Sequence, residues 1–300
     1  MDNPFFRYLR EKRTSGTLPC TLTRVRESFS IPGNNLIEGV PSIMRNSKIV
    51  FRGSRNILVF EEGVNLEDSE IVFNGDDSIV FLCNSRYPYK LDATVNYNCV
   101  LYMGRDNYMN GVMHVSLSEQ KHFFVGNEGR FSFGIWVRTA DPHLIYDSES
   151  MKRINPSQSV YIGDHVWIGQ EVTLLKGTQI DSGSIIGAAA VLSGKRVPHN
   201  TIFAGNPARE IRHGIFWEGS CVHAWKEEKS ATSQSFRDYA GSCDHVQSED
   251  DYIFYYNSAH RIAYDELDAV FSAKETEGKL HFLHGLSNET SKARFVHTEF

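Results

Sequence analysis

Residues Val160 to Arg212 read VYIGDHVWIGQEVTLLKGTQIDSGSIIGAAAVLSGKRVPHNTIFAGNPAREIR. Aliphatic residues fall six apart without a slip, at Ile162, Ile168, Leu174, Ile180, Ile186 and Leu192. Small or β-branched residues follow most of them four places on, at Val166, Val172, Thr178, Ser184 and Ala190. Glycine or a polar residue usually comes next after the aliphatic one: Gly163, Gly169, Asp181, Gly187, Ser193. A period of six fits neither a helix nor an alternating strand. It fits a triangular solenoid, in which each hexad is one short strand plus a corner. Three hexads make a coil, and stacked coils bury a column of aliphatic side chains.

Working outward, the rest of the chain is consistent with a soluble protein. Of 300 residues, 41% are hydrophobic and 23% charged, with a net charge of −6. Bulk nucleic-acid binding would need a basic face and is disfavoured. The opening MDNPFFRYLREKR holds no apolar core of signal-peptide length, and no later run reaches the roughly 18 apolar residues of a membrane span. The five cysteines (Cys20, Cys83, Cys99, Cys221, Cys243) are scattered and form no CxxC pair, as expected of free thiols in a reducing compartment. A cytoplasmic protein without a membrane span follows as the expectation.

Residues 1–47 read as an N-terminal segment and 48–212 as the solenoid. Between 48 and 84 the rhythm is looser, with Phe60, Leu66 and Val72 six apart and aromatics among the aliphatics. Short strands with turns would also suit an antiparallel sandwich. The clean hexads downstream favour early, wider coils. Residues 84–98 (NSRYPYKLDATVNYN) break the rhythm and read as a loop excursion, with three tyrosines that could stack on a sugar or pack on the wall. A second excursion covers 139–159. Residues 213–300 read as a C-terminal capping extension, mixed or partly helical, with a helix at about 263–274.

The chemistry-bearing candidate is His143, in Asp141-Pro142-His143, between two β-rich stretches. Transfer of an acyl group from a thioester to a hydroxyl needs the hydroxyl proton removed during attack, and a neutral imidazole suits that task. Asp141 or Asp147 could orient the ring. The plain alternative is a surface histidine satisfied by water. Trp167 follows His143 by 24 residues and reads as an outward corner residue. Lys195, Arg196, Arg209 and Arg212 form a basic cluster near the end of the hexads, suited to phosphates. His114, His122 and His165 lack the spacing of a zinc site, so no metal is expected.

TADPHLIYD, RINP, IGDHVWIG and the closing AGNPAREIR together resemble the hexapeptide-repeat acyltransferases, and most of all the capsule and polysialic acid O-acetyltransferases. That resemblance implies an all-β fold, the left-handed parallel β-helix, an exception to the usual right-handed crossover. It implies a homotrimer with active sites between subunits, His143 as general base, and Trp167 at the site. It implies acetyl-CoA as donor, placed by Gln170, Ala188, Ser193, Lys195, Arg209 and Arg212. The sequence SGK, where many relatives have TK, shifts Ser193 and Lys195 against the pattern. The implied activity is acetyl-CoA-dependent O-acetylation of a sugar hydroxyl in a bacterial surface polysaccharide or its precursor. An N-acetyltransferase of an amino-sugar nucleotide and a non-catalytic glycan-binding solenoid share most of these features and stay open.

Overall fold

The computed structural model describes residues 17–242, 262–289 and 294–296. Among these residues, short strands stack into three walls of a solenoid. The first wall holds Cys20–Leu22, Lys48–Phe51, Glu70–Phe73, Leu91–Val95, Met113–Leu117, Trp136–Arg138, Thr173–Leu175 and Val191–Leu192. The second runs from Phe29–Ile31 and Asn35–Glu38 through Ile57–Phe60, Ile79–Leu82, Val100–Met103, Phe123–Val125, Val160–Ile162 and Gln179–Ile180 to Arg196–Val197. The third holds Tyr108–Met109, Arg130–Phe131, Trp167–Ile168, Ile185–Ile186 and Ile202–Gly205, closed by the antiparallel Ala208–Arg212. Parallel pairing already ties Leu36 to Ile57, so the coils begin before residue 48.

The coil length explains the two rhythms in the sequence. Hexad coils advance 18 residues, as from Asp164 to Ser182, which is three sixes. Early coils advance 22 residues, as from Asn56 to Ser78. The longer circuit encloses more space, and aromatics fill it: Phe51 and Phe73 stack at 4.6 Å inside the barrel. Downstream the smaller interior takes the aliphatic column, in which Ile162, Ile168, Leu174, Ile180, Ile186 and Leu192 are all fully buried. The glycines after the column residues have a steric cause. A Cβ on Gly163 would lie 2.6 Å from the Ser182 nitrogen, and one on Gly169 2.7 Å from the Ala188 nitrogen.

One expected excursion is absent. Residues 84–98 complete an ordinary coil, because Leu91–Val95 pairs in register with both Glu70–Phe73 and Met113–Leu117. Its tyrosines do not make a platform. Tyr89 is fully buried and donates to the carbonyls of Cys83 and Gly104, while Tyr87 meets Tyr108 edge-on and Tyr97 stands apart, half exposed. Between Arg138 and Val160 the chain leaves the coil, and the step from Asn127 to Asp164 spans 37 residues.

The C-terminal extension covers a side of the solenoid more than its end. Helices Tyr264–Ala273 and Thr276–Ser287 lie on the outer face of the second wall. Tyr264, Leu267 and Phe271 share one helical face, with Leu280, Leu283 and Leu286 from the next helix. They cover Val59, Ile79, Phe81, Val100, Tyr102, Phe124 and Tyr161. The second-wall strands are therefore buried on both faces and read as unbroken apolar runs, ILVF, IVFL and VLYM. In the first wall LDATV and MHVSL alternate instead.

Polar clamps fix the extension. Tyr264 donates to the Ile180 carbonyl at 2.6 Å, and Arg105 reaches the Ser287 carbonyl at 2.9 Å. Arg294, fully buried, pairs with both oxygens of the buried Asp164 at 2.9 and 3.1 Å. Asp164 also accepts the Asn127 N–H at 2.7 Å, so one carboxylate joins two coils to the C-terminal segment. Arg294→Ala leaves that carboxylate buried without its cation. Urea unfolding is expected to show a loss of about 3–5 kcal/mol. Asp164→Asn combined with Arg294→Met is expected to lose less than the alanine variant alone.

Candidate active site

The excursion after Arg138 is a hairpin with a pinned neck. Gln158 N–H donates to the Thr139 carbonyl at 3.1 Å and closes the neck. Tyr146 bridges antiparallel to Arg153, and Ile154 N–H reaches the Ile145 carbonyl at 2.9 Å. At the tip the Asp147 carboxylate accepts from the Ser150 backbone and hydroxyl at 2.8 and 2.7 Å, which lowers its pKa. At the root Arg153 forms a bidentate pair with Glu119 from the preceding coil, both contacts at 2.8 Å. Those bonds and one from the Ser157 hydroxyl hold Glu119 at a pKa of about 2.

Asn155 is the centre of the hairpin root. It is buried, and its amide NH2 donates to Asp141 Oδ2 at 3.0 Å and to the His143 carbonyl at 2.8 Å. Its oxygen accepts the Ile145 N–H at 2.9 Å. Asp141 Oδ2 also accepts from Lys176 Nζ at 2.6 Å, and the Lys176 and Asn155 bonds hold its pKa below the usual carboxylate range. Asp141 thus fixes the backbone that carries His143. It does not orient the His143 ring within the chain, and neither does Asp147, which is committed to the hairpin tip. Among the described residues the His143 imidazole has no hydrogen-bond partner, and it is exposed. Beyond it the hairpin presents Leu144, Ile145, Tyr146, Met151 and Ile154 to solvent, each at least half exposed.

Trp167 lies on a strand of the third wall, where a corner was expected. It sits in register between Arg130 and Ile185 and is 45% exposed. Beside it runs a segment that sequence reasoning passed over. Trp217 lies flat on His165 with ring centroids 3.8 Å apart, and its indole N–H donates to the His165 carbonyl at 3.1 Å. Trp217 approaches Trp167 to 6.1 Å. The two indoles line a cavity of about 210 Å³ with Tyr108, Arg130 and Ser132. No residue of the 139–159 hairpin lines it. The hairpin leaves the solenoid between the first and second walls, and Trp167 projects from the third. Among the described residues, the cavity that Trp167 lines does not include His143.

The donor-side candidates also divide between corners. Gln170 and Ala188 are exposed where the third wall turns into the first, and the Gln170 carbonyl accepts the Ala189 N–H at 2.8 Å. Ser193 and Lys195 lie where the first wall turns into the second. There Gly194 N–H reaches the Lys176 carbonyl at 2.9 Å, so this corner stacks on the partner of Asp141. Arg209 and Arg212 are exposed on the closing strand of the third wall. The histidines considered for metal are separate. His114 pairs with Asp92 at 2.8 Å, His122 is buried with its pKa pushed down to about 3 by desolvation, and His165 stacks on Trp217. Among the described residues no group of three His, Cys, Asp or Glu could hold a metal ion.

No protein-family model matches the chain. It is 27% identical over 192 residues to a polysialic acid O-acetyltransferase of Neisseria meningitidis, covering 64% of this chain and 89% of that one. A polysialic acid O-acetyltransferase of Escherichia coli O1:K1 is 31% identical over 93 residues, 31% of this chain and 30% of that one. The crystal structure of a polySia-specific acetyltransferase superposes with a TM-score of 0.59 at 26% identity, over 69% of this chain and 93% of that one. The solenoid is a left-handed β-helix, as in these structural neighbours.

The Asn155 network predicts a local effect. Asn155→Ala removes the bonds to Asp141, the His143 carbonyl and Ile145 together. Hydrogen exchange over 140–154 is expected to accelerate by at least tenfold, with exchange of the hexad strands unchanged.

Proposed function

We propose, for a chain that is by its homologues and its fold a member of the hexapeptide-repeat acyltransferase superfamily, that it is an acetyl-CoA-dependent O-acetyltransferase of a bacterial surface polysaccharide or its precursor. The observation that carries this is His143, an exposed imidazole with no hydrogen-bond partner among the described residues, on a hairpin whose root is pinned by Asn155, Asp141 and Lys176. A general base needs both properties, a fixed backbone and a free ring nitrogen.

The step balances without a further group. The neutral imidazole takes the proton of the sugar hydroxyl as its oxygen attacks the thioester carbonyl carbon. The C–S bond breaks, and the proton passes from the imidazolium to the departing CoA sulfur. A backbone N–H near the Trp167 coil would stabilise the developing oxyanion.

Three features support a homotrimer with sites between subunits. His143 and Trp167 belong to different sides of one solenoid, so a shared cavity needs a second copy. The hairpin beyond His143 is a row of exposed apolar side chains, which a neighbouring subunit would bury. The second wall is covered by the chain's own helices, leaving the first and third walls for neighbours. Acetyl-CoA would lie in the groove between subunits. Gln170 and Ala188 would contribute from one corner, Ser193 and Lys195 from another, and Arg209 and Arg212 would meet the phosphates.

A cytoplasmic setting agrees with the donor and with the unpaired Cys20, Cys83, Cys99 and Cys221. Among the described residues, no helix is long and apolar enough to cross a membrane.

The test is thiol release from acetyl-CoA over a panel of capsular polysaccharides, sialic acids and simple sugars. His143→Ala is expected to lower acceptor-dependent release by a factor on the order of 10²–10⁴ with the oligomer unchanged. Acetyl-CoA at about a hundred times its Kd is expected to stabilise the protein by about 2.7 kcal/mol. A protein that acetyl-CoA fails to stabilise is not a transferase, and glycan binding without turnover then takes its place.

A further inference from the structure

The cavity beside Trp167 contains an arginine that the solenoid does not use. Several arginines of the solenoid and its extension pair with an acid from a neighbouring coil or segment: Arg55 with Asp77, Arg86 with Asp106, Arg105 with Glu61, Arg294 with Asp164. Arg130 has no carboxylate partner among the described residues. Among the described residues its guanidinium makes one hydrogen bond, at 3.3 Å, to the carbonyl of the adjacent Gly129. Its guanidinium lies 5.3 Å from the Tyr87 ring centre and 5.8 Å from that of Tyr108. The acid in the same cavity, Glu218, accepts from the Ser220 backbone and hydroxyl at 2.9 and 3.1 Å and forms no ion pair with Arg130. A partly buried cation is thus held by aromatic rings, with hydrogen-bonding capacity left over.

The surroundings have the composition of a sugar site. Trp167 and Trp217 give two indole faces 52° apart, and Asn110 and Ser132 add an amide and a hydroxyl. A cavity of about 210 Å³ is smaller than a drug-sized pocket and suits one ring. Trp217 comes from beyond the hexads and is held in place by its stack on His165 and the bond from its indole N–H. The extension therefore supplies one wall of the cavity.

Building on the transferase reading above, we propose that this cavity is an acceptor subsite for a pyranose bearing an anionic group, with Arg130 as the residue that reads the anion. Guanidinium recognises carboxylate and phosphate through paired N–H donors, and a neutral sugar leaves that capacity unused. Trp167 and Trp217 stack the ring. Arg130 and Trp217 are specificity-determining residues and take no part in proton transfer.

Binding is measured in the His143→Ala background, which separates it from turnover. The probes are a short sialic acid oligomer, the same oligomer with its carboxylates converted to neutral amides, and a hexose phosphate. The anionic oligomer is expected to bind at least tenfold more tightly than the neutral one. Arg130→Met is expected to remove that difference, and Arg130→Lys to restore part of it. Trp217→Leu is expected to weaken both oligomers. Preference for the hexose phosphate over the oligomer, lost in Arg130→Met, would keep Arg130 as the anion reader and make the group a phosphate. Equal affinity for charged and neutral oligomers, or an equal loss of both in Arg130→Met, would overturn the proposal. Acetylation of a neutral glycan with kcat and KM unchanged in Arg130→Met would sink the subsite and leave the transferase standing. Arg130-dependent binding with no acceptor ever acetylated would do the reverse.

Discussion

Backbone hydrogen bonds run from each coil to the next, as from Trp167 N–H to the Ser184 carbonyl and from Trp136 N–H to the Val172 carbonyl. This ladder forces residues one coil apart into columns, so a side chain's place is set by its wall and its coil. Arg130 and Trp167 are stacked by register, although the hairpin separates them in sequence. The hairpin interrupts the chain without disturbing the ladder, since Phe124 still pairs with Tyr161 across it. A long loop can therefore be inserted between two coils at no cost to the core. It can carry a reactive side chain out from the surface while the walls stay fixed.

The three walls are not equivalent. The second is sheathed by the chain's own helices, locked through Arg294 and Asp164. The third carries Arg130, Trp167 and the Trp217 segment. The hairpin with His143 leaves between the first and second. His143 and Trp167 thus stand on different sides of the solenoid. Copies placed side by side would turn that separation into a shared cleft, with the apolar hairpin as the contact between them.

The hexads made the late coils legible because an 18-residue circuit repeats the same column at every third hexad. The 22-residue coils dilute that signal, and Pro88 with its neighbouring tyrosines made 84–98 resemble a loop. Its alternation of Leu91, Ala93 and Val95 was the strand signal. The unbroken runs ILVF, IVFL and VLYM carried the information that one wall is covered on both sides. His143 was legible as a candidate from its setting between β-rich stretches and its motif. The task of Asp141 was not, because its partners Lys176 and Asn155 come from the next coil and from the far arm of the hairpin. Trp217 carried no periodic signal at all, and only the fold places it against His165.

The central claim is that His143 and Trp167 serve one site from two different chains. It is tested most directly by mixing subunits. His143→Ala and Trp167→Ala proteins, each inactive alone, are unfolded, combined and refolded together, and acceptor-dependent thiol release is measured. Sites between subunits predict that mixed oligomers recover activity, because some interfaces then pair an intact His143 with an intact Trp167. Mixed oligomers with no activity above that of either variant alone would place both residues in the same chain's site and contradict the account.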